Sequence, residues 1–126
     1  MRSAFQCKIR RFSLPELLDI VRDAAAEKKG EDIRVIDLTG KSDIADNFLI
    51  VTGRSKIQTR AIADGVTEAA RGNAFAVRRT EGYTEGSWIL LDLGMVVVHI
   101  FTPEQRTFYN LERLWADTEQ RRAKTL

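Results

Sequence analysis

The chain is poor in the residues that build covalent or metal-centred chemistry. Its 126 residues include one cysteine, Cys7, and one histidine, His99. A single cysteine excludes an intramolecular disulfide and suits a reducing compartment. A zinc site would need more nitrogen or sulfur ligands than these two residues supply. The only two prolines, Pro15 and Pro103, both fall where a helix would start. No apolar run approaches the roughly 20 residues that a membrane-crossing helix needs. There is no Asp-x-Asp pair, no internal repeat and no low-complexity linker, so the length reads as one domain.

Charge of one sign is also scarce. Twenty basic residues stand against 18 acidic ones, for a net charge of +2. Arg2, Lys8, Arg10 and Arg11 lie within residues 1–12 without any acid, which leaves the remainder at −2. A body so close to neutral sets up no strong field for phosphate. Residues 1–12 read as a basic, flexible tail, because they lack the apolar centre of a secretory signal. With no long leader, the expected location is the cytoplasm.

What is present describes a globular domain: 44% hydrophobic and 30% charged residues. A chain of this size can bury roughly two-thirds of its unfolded surface without disulfides or metal. Residues 87–101, SWILLDLGMVVVHIF, are its most apolar stretch. Two apolar runs, 88–91 and 96–101, flank Asp92-Leu93-Gly94, where Gly94 permits a tight reversal. The pattern predicts a β-hairpin with more apolar side chains than one sheet face can bury.

Taken in order, residues 14–29 predict a first helix. Ser13 would cap it, with Glu16 completing a capping box, and Gly30 would follow its end. Leu14, Leu17, Leu18, Val21, Ala24 and Ala25 form its apolar stripe. Residues 33–38 predict a strand, 39–42 a turn, and 47–52 a second, central strand antiparallel to the first. Ser55 would cap a second helix running to Gly72, with Gln58 as its capping-box partner. Residues 75–79 predict a third strand, reached through that helix as a parallel crossover. Thr102-Pro103-Glu104-Gln105 would open a third helix with Phe108, Leu111 and Trp115 on one face. The sum is a single α/β domain over residues 13–116, with a mixed sheet of about five strands and flanking helices. Residues 117–126 read as a polar C-terminal tail.

Candidate chemistry is thin. His99 sits between Val98 and Ile100 with no visible partner, and reads as a hydrogen-bonded structural histidine rather than a base. Cys7 has no activating neighbours. Gly53-Arg54-Ser55 resembles turns that hold phosphate at a helix start, but reads first as a cap. Asp37, Asp46 and Asp92 would have to converge from three elements to hold Mg²⁺ for a divergent nucleotidyltransferase-like enzyme. Arg54, Lys56, Arg60, Arg78 and Arg79 lack interleaved aromatics, and read as a solvated face rather than an RNA site. Trp88, Leu93 and Met95 fit either a core or an exposed patch that meets a protein partner.

Several blocks together are similar to one family. Asp46-Asn47-Phe48, Gly53-Arg54-Ser55, Ala61-Ile62-Ala63-Asp64, Glu81-Gly82, the run 88–101, and Phe108-Tyr109-x-Leu111-Glu112-x-Leu114-Trp115 resemble the Iojap family, the ribosomal silencing factors. The resemblance covers about residues 14–116 and implies a nucleotidyltransferase-like fold without catalytic residues, metal or cofactor. It implies binding to large-subunit ribosomal protein L-fourteen, a block on joining of the small subunit, and lowered translation when nutrients are short. It also implies a homodimer when free, no membrane, and at most a secondary contact with ribosomal RNA. The positions it points to are Glu81, Trp88, Asp92, Leu93 and Gly94. Met95 is a departure, since the family usually has an acid after the hairpin glycine. Trp88 and Leu93 are expected to form one apolar spot beside Glu81 and Asp92.

Overall fold

The computed structural model describes residues 14–38 and 45–109. The Ser13 cap, the 39–42 turn, both tails, and the contributions of Leu111 and Trp115 lie outside them. So does the side chain of Phe108.

Helix α1 spans Leu14–Glu27. Leu17, Val21, Ala24 and Ala25 are buried, following the helical period of the sequence. Its end differs from expectation. Lys29, not Gly30, is the left-handed residue, with φ 65°. Lys29 N donates to Ala26 O (2.9 Å) and Gly30 N to Ala25 O (2.8 Å). This is the Schellman pattern, with Gly30 one position later than predicted.

Helix α2 spans Lys56–Gly72 and is capped by Ser55, whose Oγ accepts from Gln58 N at 3.1 Å. Gln58 does not close a capping box. Its side-chain amide donates instead to the carbonyl of Lys28, tying the start of α2 to the end of α1. The C-terminus repeats the α1 ending. Ala74 is left-handed at φ 69°, its N–H donates to Arg71 O, and Phe75 N donates to Ala70 O.

The strands are β1 (Glu31–Asp37), β2 (Asn47–Thr52), β3 (Arg79–Glu81), β4 (Trp88–Asp92) and β5 (Val96–Phe101), in the order β1-β2-β5-β4-β3. The β1–β2 pair is antiparallel and β2 is central, as the sequence predicts. The place beside β2 is taken by β5, which is parallel to it. β3 does run parallel to β2, but with β5 and β4 between them, paired antiparallel with β4 at the far edge. It is also shifted along the chain. The ladder itself starts at Arg79, just after Arg78 N donates to Asp92 O (2.7 Å), while Phe75 and Val77 pack against the core under the helices.

Helices α1 and α2 cover one face of the sheet. Leu49, Val51, Ile89, Leu91, Val96, Val98 and Ile100 point into that core with Leu17, Val21, Ile62 and Val66. Each fully buried aliphatic side chain there contributes roughly 1.5–3 kcal/mol. The opposite face carries a second cluster, with Leu38, Ala45 and Val97 against Ile36, Phe48 and Leu90.

Helix α3, Pro103–Tyr109, is held by a residue that the sequence did not single out. Arg106 is buried, and its Nη1 donates to Asp32 O (2.6 Å) and Thr52 Oγ1 (2.7 Å). Asp32 has φ 48° where the β1–β2 register shifts, so the carbonyl it turns toward α3 comes from a bulge. No helix among the described residues is long and apolar enough to cross a membrane.

Two helices ending on L-residues at a left-handed position leave room for improvement. Lys29→Gly and Ala74→Gly relieve that strain, less the added chain entropy of glycine, and each is expected to raise stability by about 0.5–1 kcal/mol. Urea unfolding checks this; a loss of stability in both variants would contradict the assignment of the two helix ends.

Candidate functional site

Alternation along β4 and β5 decides which residues can form a surface. Trp88 pairs with Phe101, Leu90 with His99 and Asp92 with Val97. These lie on the face away from α1 and α2, because Ile89, Leu91, Val98 and Ile100 occupy the helix side. β3 brings Glu81 opposite Leu90 and Arg79 opposite Asp92 on the same face. β2 supplies Phe48 beside Val97 and Ile50 beside His99.

Trp88 is half-buried at the start of β4. Its ring lies 5.0 Å from Phe101 and 5.9 Å from His99. Its Nε1–H donates to His99 Nδ1 at 3.1 Å. With Nδ1 accepting, the neutral imidazole carries its proton on Nε2. That Nε2 is buried with no hydrogen-bond partner among the described residues. Phe48 meets the imidazole edge-on at 4.6 Å.

The loop before Trp88 is strapped to α2. Arg60 Nε donates to Tyr83 O (3.0 Å) and its Nη2 to Thr84 O (2.6 Å). Thr59 Oγ1 donates to Gly86 O (2.6 Å), and Tyr83 OH donates to Asp64 Oδ2 (3.0 Å). That hydrogen bond to Asp64 is the main reason the Tyr83 phenol is pushed up from its ordinary 10.0. At Gly82, φ is 79° and a Cβ would stand 2.0 Å from Trp88 O, so only glycine lets the loop pass so close. Thr102 N donates to Ser87 O, fixing the other side of the turn into β4. None of this strap was visible in the sequence, since Thr59, Arg60 and Asp64 look like ordinary polar positions of a helix.

At the other end of β4, Asp92 Oδ1 accepts from Gly94 N at 2.9 Å, and Leu93 N donates to Val96 O. Gly94 takes φ 91°. The Met95 side chain is 41% exposed, while its carbonyl accepts from Asp46 N and Asn47 N. Leu93 is 7% exposed and belongs to the helix-side core. The expected single apolar spot of Trp88 and Leu93 is therefore not formed. They stand at opposite ends of β4, five residues or roughly 16 Å apart along the strand. The surface instead has two parts: Trp88 with Glu81 toward one end, and Asp92, Gly94 and Met95 at the tip.

The other candidate chemistry is dispersed. Asp37, Asp46 and Asp92 reach the same end of the sheet, but the register puts Asp37 on the helix side and Asp92 on the opposite one. Among the described residues no three of His, Cys, Asp and Glu stand close enough to hold a metal ion. Much of the basic group is engaged within the chain. Arg54 pairs with Glu31 (2.6 Å), Arg79 with Glu81 (3.1 Å), and Arg60 serves the strap.

The chain as a whole is similar to known proteins. The profile of the family described as "Ribosomal silencing factor during starvation" matches residues 11–126. The Bacillus subtilis protein named ribosomal silencing factor RsfS is 45% identical over 101 residues, covering 80% of this chain and 86% of its own. The maize protein named Iojap, chloroplastic, is 38% identical over 75% of this chain and 41% of its own length. A crystal structure of a Chromobacterium violaceum protein has a TM-score of 0.82 at 30% identity, over 83% of this chain and 88% of that one. A Bacillus halodurans structure gives 0.74 at 40% identity, over 80% and 94% of the two chains.

His99 gives the fold a measurable pH dependence. It is 4% exposed, and burial pushes its imidazole down from the ordinary 6.5 to about 4. The unfolded chain therefore binds more protons between those values, and stability rises with pH across that window. From this group alone, stability at pH 5 is expected to lie about 2 kcal/mol below that at pH 7.5. His99→Gln should remove that part of the slope. Urea unfolding of both proteins at both pH values is the measurement; equal slopes would place the protonation elsewhere.

Proposed function

Because this chain belongs to the family of ribosomal silencing factors, we propose that it binds the large ribosomal subunit and prevents the small subunit from joining. The contact is made to ribosomal protein L-fourteen by Glu81, Trp88, Asp92, Leu93, Gly94 and Met95. Leu93 acts from beneath, holding the tip of the hairpin to the core. The role is not enzymatic: a protein seated where the small subunit must dock competes by occupancy. Its effect scales with its concentration relative to its dissociation constant. The outcome is repression of translation when nutrients are short, in the cytoplasm. Contact with ribosomal RNA is secondary, and when no ribosome is available two copies associate through the exposed hairpin surface.

The observation that carries this reading is the placement of Trp88. It lies half-buried on the face away from the helices, with an acidic residue, Glu81, on the neighbouring strand. Large, rigid aromatic side chains in such positions supply most of the energy of many interfaces.

Trp88→Ala should cost about 2 kcal/mol of binding, or roughly thirtyfold in affinity for large subunits, while the protein stays folded. Sedimentation with purified large subunits, alongside thermal melting of the same variant, measures both. A folded variant that still binds and still blocks subunit joining would sink the assignment. Met95→Asp tests the tip separately. Its side chain is exposed and its carbonyl does the structural work, so the substitution should leave melting unchanged. It should preserve or tighten binding where the partner presents a lysine or arginine; marked weakening would remove Met95 from the contact.

A further inference from the structure

We propose that His99 is a positioning residue for Trp88, holding the indole with its N–H turned inward so that only apolar ring surface is offered to a partner. This rests on the reading of Trp88 as the anchor, and goes beyond it by assigning a residue and a partner chemistry.

The argument starts from what the indole would do without the imidazole. Trp88 stands at the end of a strand, and Phe101 touches its ring in a non-directional contact at 5.0 Å. A ring contact of that kind does not by itself choose which way the indole N–H points. The hydrogen bond from Nε1–H to His99 Nδ1, at 3.1 Å, is directional and selects one orientation. His99 is itself fixed. It is 4% exposed, lies on the central strand β5 between Leu90 and Ile50, and meets Phe48 edge-on.

The placement makes little sense as packing alone. Val98 and Ile100 flank His99, and its cross-strand neighbours are apolar. Its Nε2–H is buried without a partner among the described residues. A phenylalanine or leucine in the same space would avoid that loss. What an apolar residue cannot supply is the acceptor that Trp88 uses. The consequence for recognition follows directly. An indole whose N–H is satisfied internally needs no acceptor from its partner, and the complementary pocket is apolar throughout. A free indole N–H entering such a pocket would be desolvated without compensation.

Three measurements on the full chain test this. The first needs no substitution. His99 is the only histidine, so a long-range proton–nitrogen spectrum of its imidazole at pH 7 is unambiguous. The Nε2–H tautomer is expected, and an Nδ1–H tautomer or an imidazolium would overturn the proposal. The second compares His99→Phe with His99→Gln. His99→Phe should melt no lower than the wild type yet bind large subunits about tenfold more weakly, while His99→Gln, whose side-chain oxygen can accept from the indole, should stay within about threefold. A merely structural histidine predicts the reverse, with binding following stability. The third follows the indole itself. In a Trp115→Phe background Trp88 is the only tryptophan, and its N–H should exchange faster in His99→Phe than in the parent. Wild-type binding by His99→Phe, alongside lost binding by Trp88→Ala, would overturn the positioning role and leave the proposed function standing. Wild-type binding by both variants would remove the anchor, and the proposal with it.

Discussion

The parallel pairing of β2 with β5 is the constraint on which the rest depends. Both strands are interior, so both of their faces must be covered or used. Val96, Val98 and Ile100 go to the helices, which commits Val97, His99 and Phe101 to the other face. That choice passes through the hairpin without slippage, because a one-residue shift would turn every side chain over. Trp88 then has no freedom of side: Ile89 must enter the core, so Trp88 must leave it. The proposed anchor is thus fixed by the packing of its neighbours more than by anything around itself.

Much of this was legible in the sequence wherever a period was long and unbroken. The α1 stripe, the apolar runs of the hairpin and the apolar run in β2 each state their own geometry. Failures came where a tertiary contact overrode a local rule. Gly30 looked like the helix end, yet the backbone turned one residue earlier at Lys29. Gln58 looked like a capping-box partner, but the carbonyl of Lys28 lay nearer to its amide. Residues 75–79 read as a strand, but the backbone bond of Arg78 to Asp92 and the ladder that starts at Arg79 place the strand later, against β4.

The candidate surface was legible in identity and not in shape. Trp88, Asp92 and Gly94 could be named, but their grouping required knowing which side of β4 each faces. Leu93 looked like a tip residue and proved to be core, because the turn directs it back beneath the sheet. Arg106 was not singled out and Arg60 was read only as part of a solvated basic face, since buried or strapping arginines have the same sequence appearance as solvated ones. Both spend their guanidinium groups on backbone carbonyls far away in the chain. Such bonds hold irregular backbone in place where no ladder can.

The borders of the sheet limit how this protein can meet another. Among the described residues β1 and β3 pair on one side only. β1 carries Glu31, Asp32, Arg34 and Asp37 and is distorted near Glu31, while β3 is three residues long and ends in the Arg79–Glu81 ion pair. Short, charged or bulged margins refuse an incoming strand, because docking there would strip water from charges and break the ladder. Growth of the sheet by addition of foreign backbone, the route to runaway polymerisation, is therefore disfavoured at both margins. A second molecule must approach the broad side or the hairpin end, and recognition there is read through side chains rather than through main-chain hydrogen bonds.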